Sequence, residues 1–563
     1  MAYEYDVVLL HPPSFYDFRK KTLFPGPIAS TVQSYTHVFL MFPIGLISIG
    51  AYLEDLGVKV RIFNLAEKML TDRSFNVEEF LRKLNAIIYG IDLHWAVHSQ
   101  GSIRIAEICK KYHPEAFIIL GGLTATCFSE EIVKRFKFVD GIINGEGEEA
   151  IYYLFSNVKK FNKLDALYRS PNLTFFDDTK GTIIRTPHLK VANNIDFYDF
   201  TRLNLVEPNI RTLTSAISKE KVWMLPISRG CLLNCAICGG SSFSYRRLMC
   251  REKPAFRSPK KLLEDFMILD EQNIDSIFLF QDIRLGGKRY VDEFLSTFKR
   301  SKWARIKNVG LEFFYPSNKT YIENISKNRP ADYIGISISP ESGDESIRVN
   351  FGRPYTNQAL LSTCRYCKEA NIPIGVFFLT GLGHETIDSL NKTYKLWDKI
   401  GLTGKDIRTK APIFVEVGAM ILLDPGSLAF SNPGRYGYKL KFKNFYDYYQ
   451  AMEKSPFWIH WISYETINFN TIELARLMIE SEEKMLEYKR KYNNMEEKIY
   501  KIRRMYTELE KVFILEYDKI NKIVDPKEYS SKIIELEEIL KNPILARSFI
   551  LTYNHGGEYD ISI

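Results

Sequence analysis

No stretch of this sequence reaches the roughly 18 consecutive apolar residues that a membrane-crossing helix needs. The first residues run straight into an apolar segment, Asp6-Val-Val-Leu-Leu10, with no charged leader ahead of a cleavable apolar core. No signal peptide is therefore predicted, and the expected location is the cytoplasm. Cysteine is scarce, eight in 563 residues. In the absence of a secretory signal those cysteines are expected as reduced thiols or metal ligands, not as a disulfide frame. Internal repeats and low-complexity tracts are missing. So is any block of Lys and Arg interleaved with aromatics, so nucleic acid is not an expected partner. Neither sign of charge dominates: 76 Lys and Arg stand against 68 Asp and Glu, a net +8. That balance permits weak attraction to anionic headgroups and proves none. What is plentiful is aromatic, with 33 Tyr and 38 Phe. They serve either aromatic-rich cores or an apolar substrate surface.

A chain this long exceeds one hydrophobic core. Over residues 1–155, short β-branched runs at Val7–Leu10, Val58–Phe63, Ala86–Ile91 and Phe117–Leu120 alternate with helical patterns such as Leu46–Leu56 and Ile103–Tyr112. That alternation predicts an α/β domain with a doubly wound, Rossmann-like sheet, its ligand-binding turns at the carboxyl ends of the strands. Residues 156–215, with polar turns at Ser170-Pro171-Asn172 and Asp177-Asp178, are expected to be a connector. A second series follows over 216–436, with strands at Val222–Ile227, Ser276–Phe280, Val309–Phe314, Tyr333–Ile338, Ile374–Thr380 and Phe414–Leu423. Six such units predict a partial (β/α)6 barrel of the TIM type. Over 437–563 the strand signal stops, and Thr471–Ile523 shows apolar residues at helical spacing. A helical carboxy-terminal domain is expected there, packed as a helix pair on the barrel or acting as an amphipathic lid, with packing preferred.

The segment Ile227-Ser-Arg-Gly-Cys231-Leu-Leu-Asn-Cys235-Ala-Ile-Cys238-Gly-Gly-Ser concentrates the chemistry. Three thiolates on one short loop can bind three irons of a cubane 4Fe–4S cluster, and the missing fourth leaves one iron open for a substrate or cofactor. The loop leaves a predicted strand, which sets it at the mouth of the barrel. A zinc site would need a second pair of ligands, and no matching unit is present.

The spacing Cys-x3-Cys-x2-Cys after Ser-Arg-Gly resembles the radical S-adenosylmethionine (SAM) superfamily. The likeness extends to Ser339-Pro-Glu341-Ser342-Gly-Asp344, to Phe377–Thr386 and to Asp424-Pro-Gly-Ser427. It implies a 4Fe–4S cluster on Cys231, Cys235 and Cys238 and a SAM site formed by Ile237, Gly239, Gln281, Asp282, Ser339, Glu341 and Ser342. It also implies an external one-electron donor of the ferredoxin or flavodoxin type. Two positions depart from the family. Ile237 replaces an aromatic residue before the third cysteine. The second strand ends Phe280-Gln281-Asp282 where Gly-Gly-Glu is usual; Gln281 and Asp282 are assigned the methionyl ammonium.

A sheet domain directly ahead of such a barrel is similar to the cobalamin-binding subclass. The matching pieces are Pro12-Pro13 after His11, Pro43-Ile-Gly45-Leu, Asp92-Leu93-His94-Trp95, Gly121-Gly122-Leu123 and Gly145-Glu146. The resemblance implies a cobalamin site at Pro12, Pro13, Asp92, Leu93, Trp95, Gly121, Gly122, Leu123, Gly145 and Glu146. Val97 interrupts the Asp-x-His-x-x-Gly signature, so no histidine of this loop is expected on cobalt. Within the subclass the chain resembles archaeal tetraether-lipid ring synthases through its domain order, Cys-Gly-Gly-Ser and Asp-Leu-His-Trp. That implies hydrogen abstraction from an unactivated carbon, carbon–carbon bond formation on a hydrophobic or lipid substrate, and peripheral contact with a membrane. The alternatives are a C-methyltransferase acting on a small molecule or peptide, and a sensor without turnover. Cys364 and Cys367 are expected on a helix face, Cys250 among solvated arginines, and His384 at a turn near the mouth. Tyr245, Phe377 and Phe378 are expected in the core or beside the radical site.

Overall fold

The computed structural model describes residues 3–20, 24, 26, 42–72, 74–208, 221–299, 301–407, 409–418, 420 and 423–540. The first sheet has strands β1 Tyr5–His11, β2 Val60–Asn64, β3 Ala86–Asp92, β4 Phe117–Gly121, β5 Gly141–Ile143, β6 Leu173–Asp177, β7 Thr182–Arg185 and β8 Val206–Glu207. They lie in the order β7-β6-β5-β4-β3-β1-β2-β8. All pairs are parallel except β5–β6 and β6–β7. Apolar runs such as Ile118-Ile-Leu120 are buried on both faces, as a parallel sheet covered by helices requires. The strand order reverses at β1, and ligands in open α/β sheets bind beyond the carboxyl ends at such a switch point.

The expected connector is corrected here. Its residues up to 207 supply three strands of this sheet; those after 208 and up to 220 lie outside the described residues. Leu173 and Phe175 are fully buried on β6, and the polar Asp177-Asp178 turn is a hairpin whose Asp177 carboxylate accepts the Thr179 and Lys180 N–H groups. Turn chemistry that suggested a linker closes a sheet edge instead.

The second sheet has β9 Val222–Pro226, β10 Ser276–Phe280, β11 Asn308–Phe313, β12 Tyr333–Glu341, β13 Ile374–Phe378 and β14 Ile413–Val417. All six are parallel and paired in sequence order, with β9 and β14 at the two edges. This is the expected open (β/α)6 barrel; the end of its predicted last strand runs into positions outside the described residues. Burial alternates along the strands, broken only at Ser276, which is buried like its neighbour Ile277. Trp223, Leu225, Ile277, Leu279, Val309, Leu311, Ile336 and Val376 pack outward in the core, and the residues between them face the lumen.

The carboxy-terminal region is helical with two corrections. A short antiparallel pair, Tyr438–Leu440 with Tyr464–Thr466, precedes the helices. The helical stretch is two helices, Thr471–Lys491 and Glu497–Ile520, interrupted where Asn493 takes a left-handed φ of 54°. Asparagine tolerates that conformation and ends a helix there. Packing against the barrel is visible in side chains: Lys489 of the first helix pairs with Glu416 of β14, and Tyr492 hydrogen-bonds Asp398. The same region returns to the first domain, where Glu131 accepts the Phe445 and Tyr446 N–H groups at 2.7 and 3.0 Å. No helix among the described residues is long and apolar enough to cross a membrane.

Candidate active site

The cysteine loop leaves β9 through a short strand, Ser228–Arg229, paired with Ala255–Phe256. Backbone bonds shape it: Ala236 N–H donates to the Phe351 carbonyl and Ser242 N–H to the Leu233 carbonyl. Asn234 accepts the Phe243 N–H through its side chain (2.8 Å). Ser241 then caps the helix Ser242–Leu248. Two N–H groups point at sulfur, Leu233 to Cys231 (3.4 Å) and Gly240 to Cys238 (3.3 Å). Burial pushes all three thiols up, so thiolates here need cationic partners, which irons supply. Among the described residues no three His, Cys, Asp or Glu side chains gather closely enough for a single metal ion. A cubane does not require that, because each thiolate takes a separate iron. Cys364 and Cys367 are fully buried on the helix Asn357–Glu369 and belong to the core.

Asp424 clasps the loop from the far side. Its carboxylate accepts the Gly239 N–H at 2.8 Å, and burial pushes that carboxyl up to about 6. Ile237 is buried in the core beneath the loop. At the end of β12, Glu341 holds a positive φ of 65°, and Gln281 after β10 holds 74°. Non-glycine residues in that region store strain, and such strain clusters at functional sites. Glu341 meets Arg353 at 3.3 Å, yet burial keeps its carboxyl raised. Arg353 is itself buried and its Nε has no hydrogen-bond partner. A guanidinium with a spare donor beside two carboxylates, Glu341 and Glu312, suits a zwitterionic amino-acid group such as the methionyl end of SAM.

The other residues singled out in the sequence are placed by the partners they find. Asp282 is buried, forms an ion pair with Arg284 (2.5 Å) and accepts the Phe314 N–H (2.9 Å), so it holds the β10–β11 crossing together. The Gln281 side chain spans back to Ser228 and the Gly230 carbonyl. Ser342 is fully buried and its carbonyl accepts from Arg348. Ser339 alone of the remaining set is half-buried on the lumen face. His384 is committed to the Arg435 carbonyl (2.9 Å). Phe378 lies in the core and Phe377 on the lumen face.

A cavity of about 460 Å³ joins the two domains. The sheet contributes Asp92, His94, Trp95, Gly121, Gly122, Leu123, Gly145 and Glu146, with Pro43 to Leu46 on the opposite wall; the barrel contributes Met224, Pro226, Phe280, Gln281 and Tyr245. At Gly45 an added Cβ would meet nothing within 4 Å, so the wall there is free of side chains. Gly122 has φ 114°, and an added Cβ would stand 2.6 Å from the His94 Cα. Only glycine fits such a turn. A smooth, largely apolar cradle at the carboxyl edge of a sheet fits a corrin macrocycle. Pro12, Pro13 and Leu93, assigned to this site from the sequence, do not line it. Leu93 is buried with its N–H on the Gly121 carbonyl, and an added Cβ at Gly101 would collide with the Pro13 carbonyl. Pro13 packs against the helix Ser99–Tyr112 at Gly101 instead. His94 faces the cavity beside Trp95, their rings 4.7 Å apart.

Sequence reasoning missed a charge lattice that crosses the domain boundary. Arg229, two residues before Cys231, binds Glu148 (2.6 Å) and Glu146 (3.3 Å) of the sheet domain. Arg251 binds Glu146 from behind at 2.5 Å, and Ser48 donates to Glu148 at 2.6 Å. Burial alone would raise the Glu148 carboxyl; the Arg229 charge together with hydrogen bonds from Arg229, Ser48 and the backbone outweighs it and holds the group below its usual range. Glu146, assigned to cobalamin, thus has its carboxylate engaged by two guanidinium groups. The visible signal was Gly145-Glu-Gly-Glu148, an acidic pair at a strand end, set against Arg229 in the cysteine motif.

Comparison with known proteins matches two family models: the B12 binding domain over residues 35–154 and the radical SAM superfamily over residues 225–396. The chain is 24% identical over 307 residues to the anaerobic magnesium-protoporphyrin IX monomethyl ester cyclase of Cereibacter sphaeroides, covering 53% of this chain and 48% of that one. It therefore spans about half the length of that relative. It is 23% identical over 376 residues to an uncharacterized methyltransferase of Pyrococcus horikoshii, covering 64% of this chain and 74% of that one. In fold it resembles the cobalamin-dependent SAM radical enzyme OxsB, with a TM-score of 0.58 at 15% identity over 95% of this chain and 75% of that one. It also resembles the SAM methyltransferase TsrM of Kitasatospora setae, at 0.55 and 13% over 77% of this chain and 78% of that one.

Proposed function

Starting from a chain that joins a B12-binding domain to a radical SAM domain, and so works with a 4Fe–4S cluster, SAM and cobalamin, we propose that it forms a carbon–carbon bond at an unactivated carbon of a hydrophobic substrate. Ring closure in the chains of archaeal membrane tetraether lipids is the reading we favour, with C-methylation as its rival. With cluster and SAM bound, the site supplies a 5′-deoxyadenosyl radical, the reagent that removal of hydrogen from a saturated carbon requires. The chain's own residues hold, orient and keep dry. Cys231, Cys235 and Cys238 would hold the cluster, Glu341 and Arg353 would border SAM, and the glycine-edged wall at Gly45, Gly121 and Gly122 would seat the corrin.

The observation that carries the hydrophobic-substrate reading is the lumen face of the barrel. Met224, Phe278, Phe280, Phe377 and Phe414 occupy it; Gly310 and Gly375 seat the Phe278 and Phe377 rings, and Gly335 has open space beside it. Phe278 and Phe280 stack edge to face at 5.6 Å. A saturated chain offers no polar handle, so selection must rest on the width and depth of such a wall. That Met224, Pro226 and Phe280 also line the interdomain cavity supports one dry space shared by cofactor and substrate. The first named relative is a cyclase, which favours ring closure; another is a methyltransferase, which keeps methylation in view.

The test is an anaerobic incubation of the reconstituted chain with SAM, a one-electron donor and archaeal lipid extract, followed by mass spectrometry. Ring closure breaks two C–H bonds, each hydrogen taken by one 5′-deoxyadenosyl radical from one reductively cleaved SAM, so products should appear about two mass units lighter per ring. A gain of about fourteen would establish methylation instead. An unchanged lipid, with a polar metabolite or peptide modified in its place, would overturn the lipid reading.

A further inference from the structure

We propose that the outer pocket bordered by Lys395 and Lys399 is the docking site of an acidic one-electron donor protein. This rests on the radical SAM reading above, since its 4Fe–4S cluster must be reduced from outside the chain. The pocket, of about 440 Å³, lies between the helix Ile387–Asp406 and the short helix Glu345–Asn350. Its acids are already engaged. Asp344 pairs with Lys392 at 2.9 Å and accepts the Ser346 hydroxyl at 2.6 Å, and Glu345 accepts the Asn357 N–H at 2.7 Å. Lys392 is shared further with Asp388 at 2.9 Å. Lys395 and Lys399, exposed and one turn apart, have no ion pair or side-chain hydrogen bond among the described residues. Like charges at that spacing repel, so the group this pocket lacks is an anion.

Its place beside the cysteine loop makes the occupant an electron donor. The sheet domain covers one side of that loop through Arg229, and Asp424 and Ala429 cover another by hydrogen bonds with Gly239 and Ala236. The barrel lumen takes a third. On the remaining side Ala236 N–H donates to the Phe351 carbonyl, and the Asn234 carbonyl stands 2.7 Å from where a Cβ of Gly352 would be. Phe351 and Gly352 directly follow the short helix, whose six residues span about 9 Å. One end of that helix borders the pocket, and the other touches the loop that carries the cysteines. Val349, near the loop end, is 55% exposed, and Leu232 of the loop itself is 53% exposed. Unpaired lysines beside an exposed apolar spot suit a partner whose redox centre is ringed by carboxylates. The lysines steer and orient it, and the apolar contact lets the two centres approach. A free phosphate would engage the lysines and leave Val349 and Leu232 bare.

The test follows reduction of the oxidised cluster in the reconstituted full chain by stopped-flow absorbance at low salt. Reduced flavodoxin is one reductant, and photoreduced deazaflavin, a small molecule, is the other. Iron content is measured first for every variant. Lys395→Glu with Lys399→Glu should slow reduction by flavodoxin about 10-fold or more, and the deficit should shrink as added salt screens the surface. Val349→Glu should slow it in the same direction, and deazaflavin should reduce both variants at the wild-type rate. Lys134→Glu with Lys160→Glu, exposed on the sheet domain, makes the same change in net charge and should leave both rates alone. Should the double reversal lose iron, Lys395→Ala with Lys399→Ala replaces it, with an intermediate rate expected. Flavodoxin reducing the lysine variant at the wild-type rate, or slowing as much with the sheet-domain control, would overturn the proposal and leave the radical SAM reading intact. Inorganic phosphate that binds wild type but not the lysine variant, with the flavodoxin rate kept, would overturn it in favour of a small-anion site. A reconstituted cluster that takes no electron from either reductant would overturn both.

Discussion

Replacing any one of Cys231, Cys235 or Cys238 by alanine is expected to abolish formation of 5′-deoxyadenosine from SAM and to lower bound iron from about four per chain to well under one. The expectation is steep because the loop has no spare ligand. Cys250 lies beyond the helix Ser242–Leu248 with a φ of 52°, exposed to solvent, and Cys364 and Cys367 are sealed in the core. With one thiolate gone, two irons remain held and the cubane is lost. Alanine at Cys364 or Cys367 removes only a small buried side chain, at about 1 kcal/mol of stability, and should leave iron content and turnover in place. Iron analysis and chromatography of the nucleoside product check both halves. Turnover surviving loss of Cys235 would sink the assignment, and loss of iron with Cys364 would mean a second cluster.

Arg229→Ala is expected to cost about 3–5 kcal/mol, since it leaves Glu148 buried without its cation. The damage should reach past stability. Arg229 stands at the base of the cysteine loop, while Glu146 and Glu148 stand at the cavity wall, so one guanidinium fixes the distance between cluster and corrin. The variant should therefore lose bound cobalamin as well as iron. Replacing Arg229 by Met together with Glu148 by Gln should cost less than Arg229→Ala alone, because no buried charge is stranded. Denaturant midpoints together with cobalt and iron content measure this; full cobalamin retention in Arg229→Ala would refute the clamp. The pH dependence has a definite sign. Glu148 is held below its ordinary value, so its stabilising contribution is present at neutral pH. It is lost as acid carries the pH below the ordinary carboxylate range and through the lowered folded value.

Much of this was legible before any coordinates. The strand runs are separable because buried parallel strands are β-branched and continuous: Ser276–Phe280 was read from the sequence with the bounds it has in the fold. The cysteine loop declared itself through spacing that only a cluster needs. What escaped was set by tertiary partners. Asp282 looks like a ligand until Arg284 and the Phe314 N–H are seen to occupy it. Pro12 and Pro13 follow a strand end, where ligands bind, but the helix carrying Gly101 packs too close for any to enter. Arg353 and Asp424 lie in loops whose approach to the cluster depends on the closure of the barrel, which no local pattern encodes.

A radical enzyme of this kind removes hydrogen from the carbon it modifies. Tetraether lipid carrying deuterium along its chains, incubated anaerobically with the reconstituted protein, SAM and a one-electron donor, should return 5′-deoxyadenosine that contains deuterium, alongside modified lipid. Unlabelled 5′-deoxyadenosine with unchanged lipid, or consumption of SAM to S-adenosylhomocysteine alone, would contradict it.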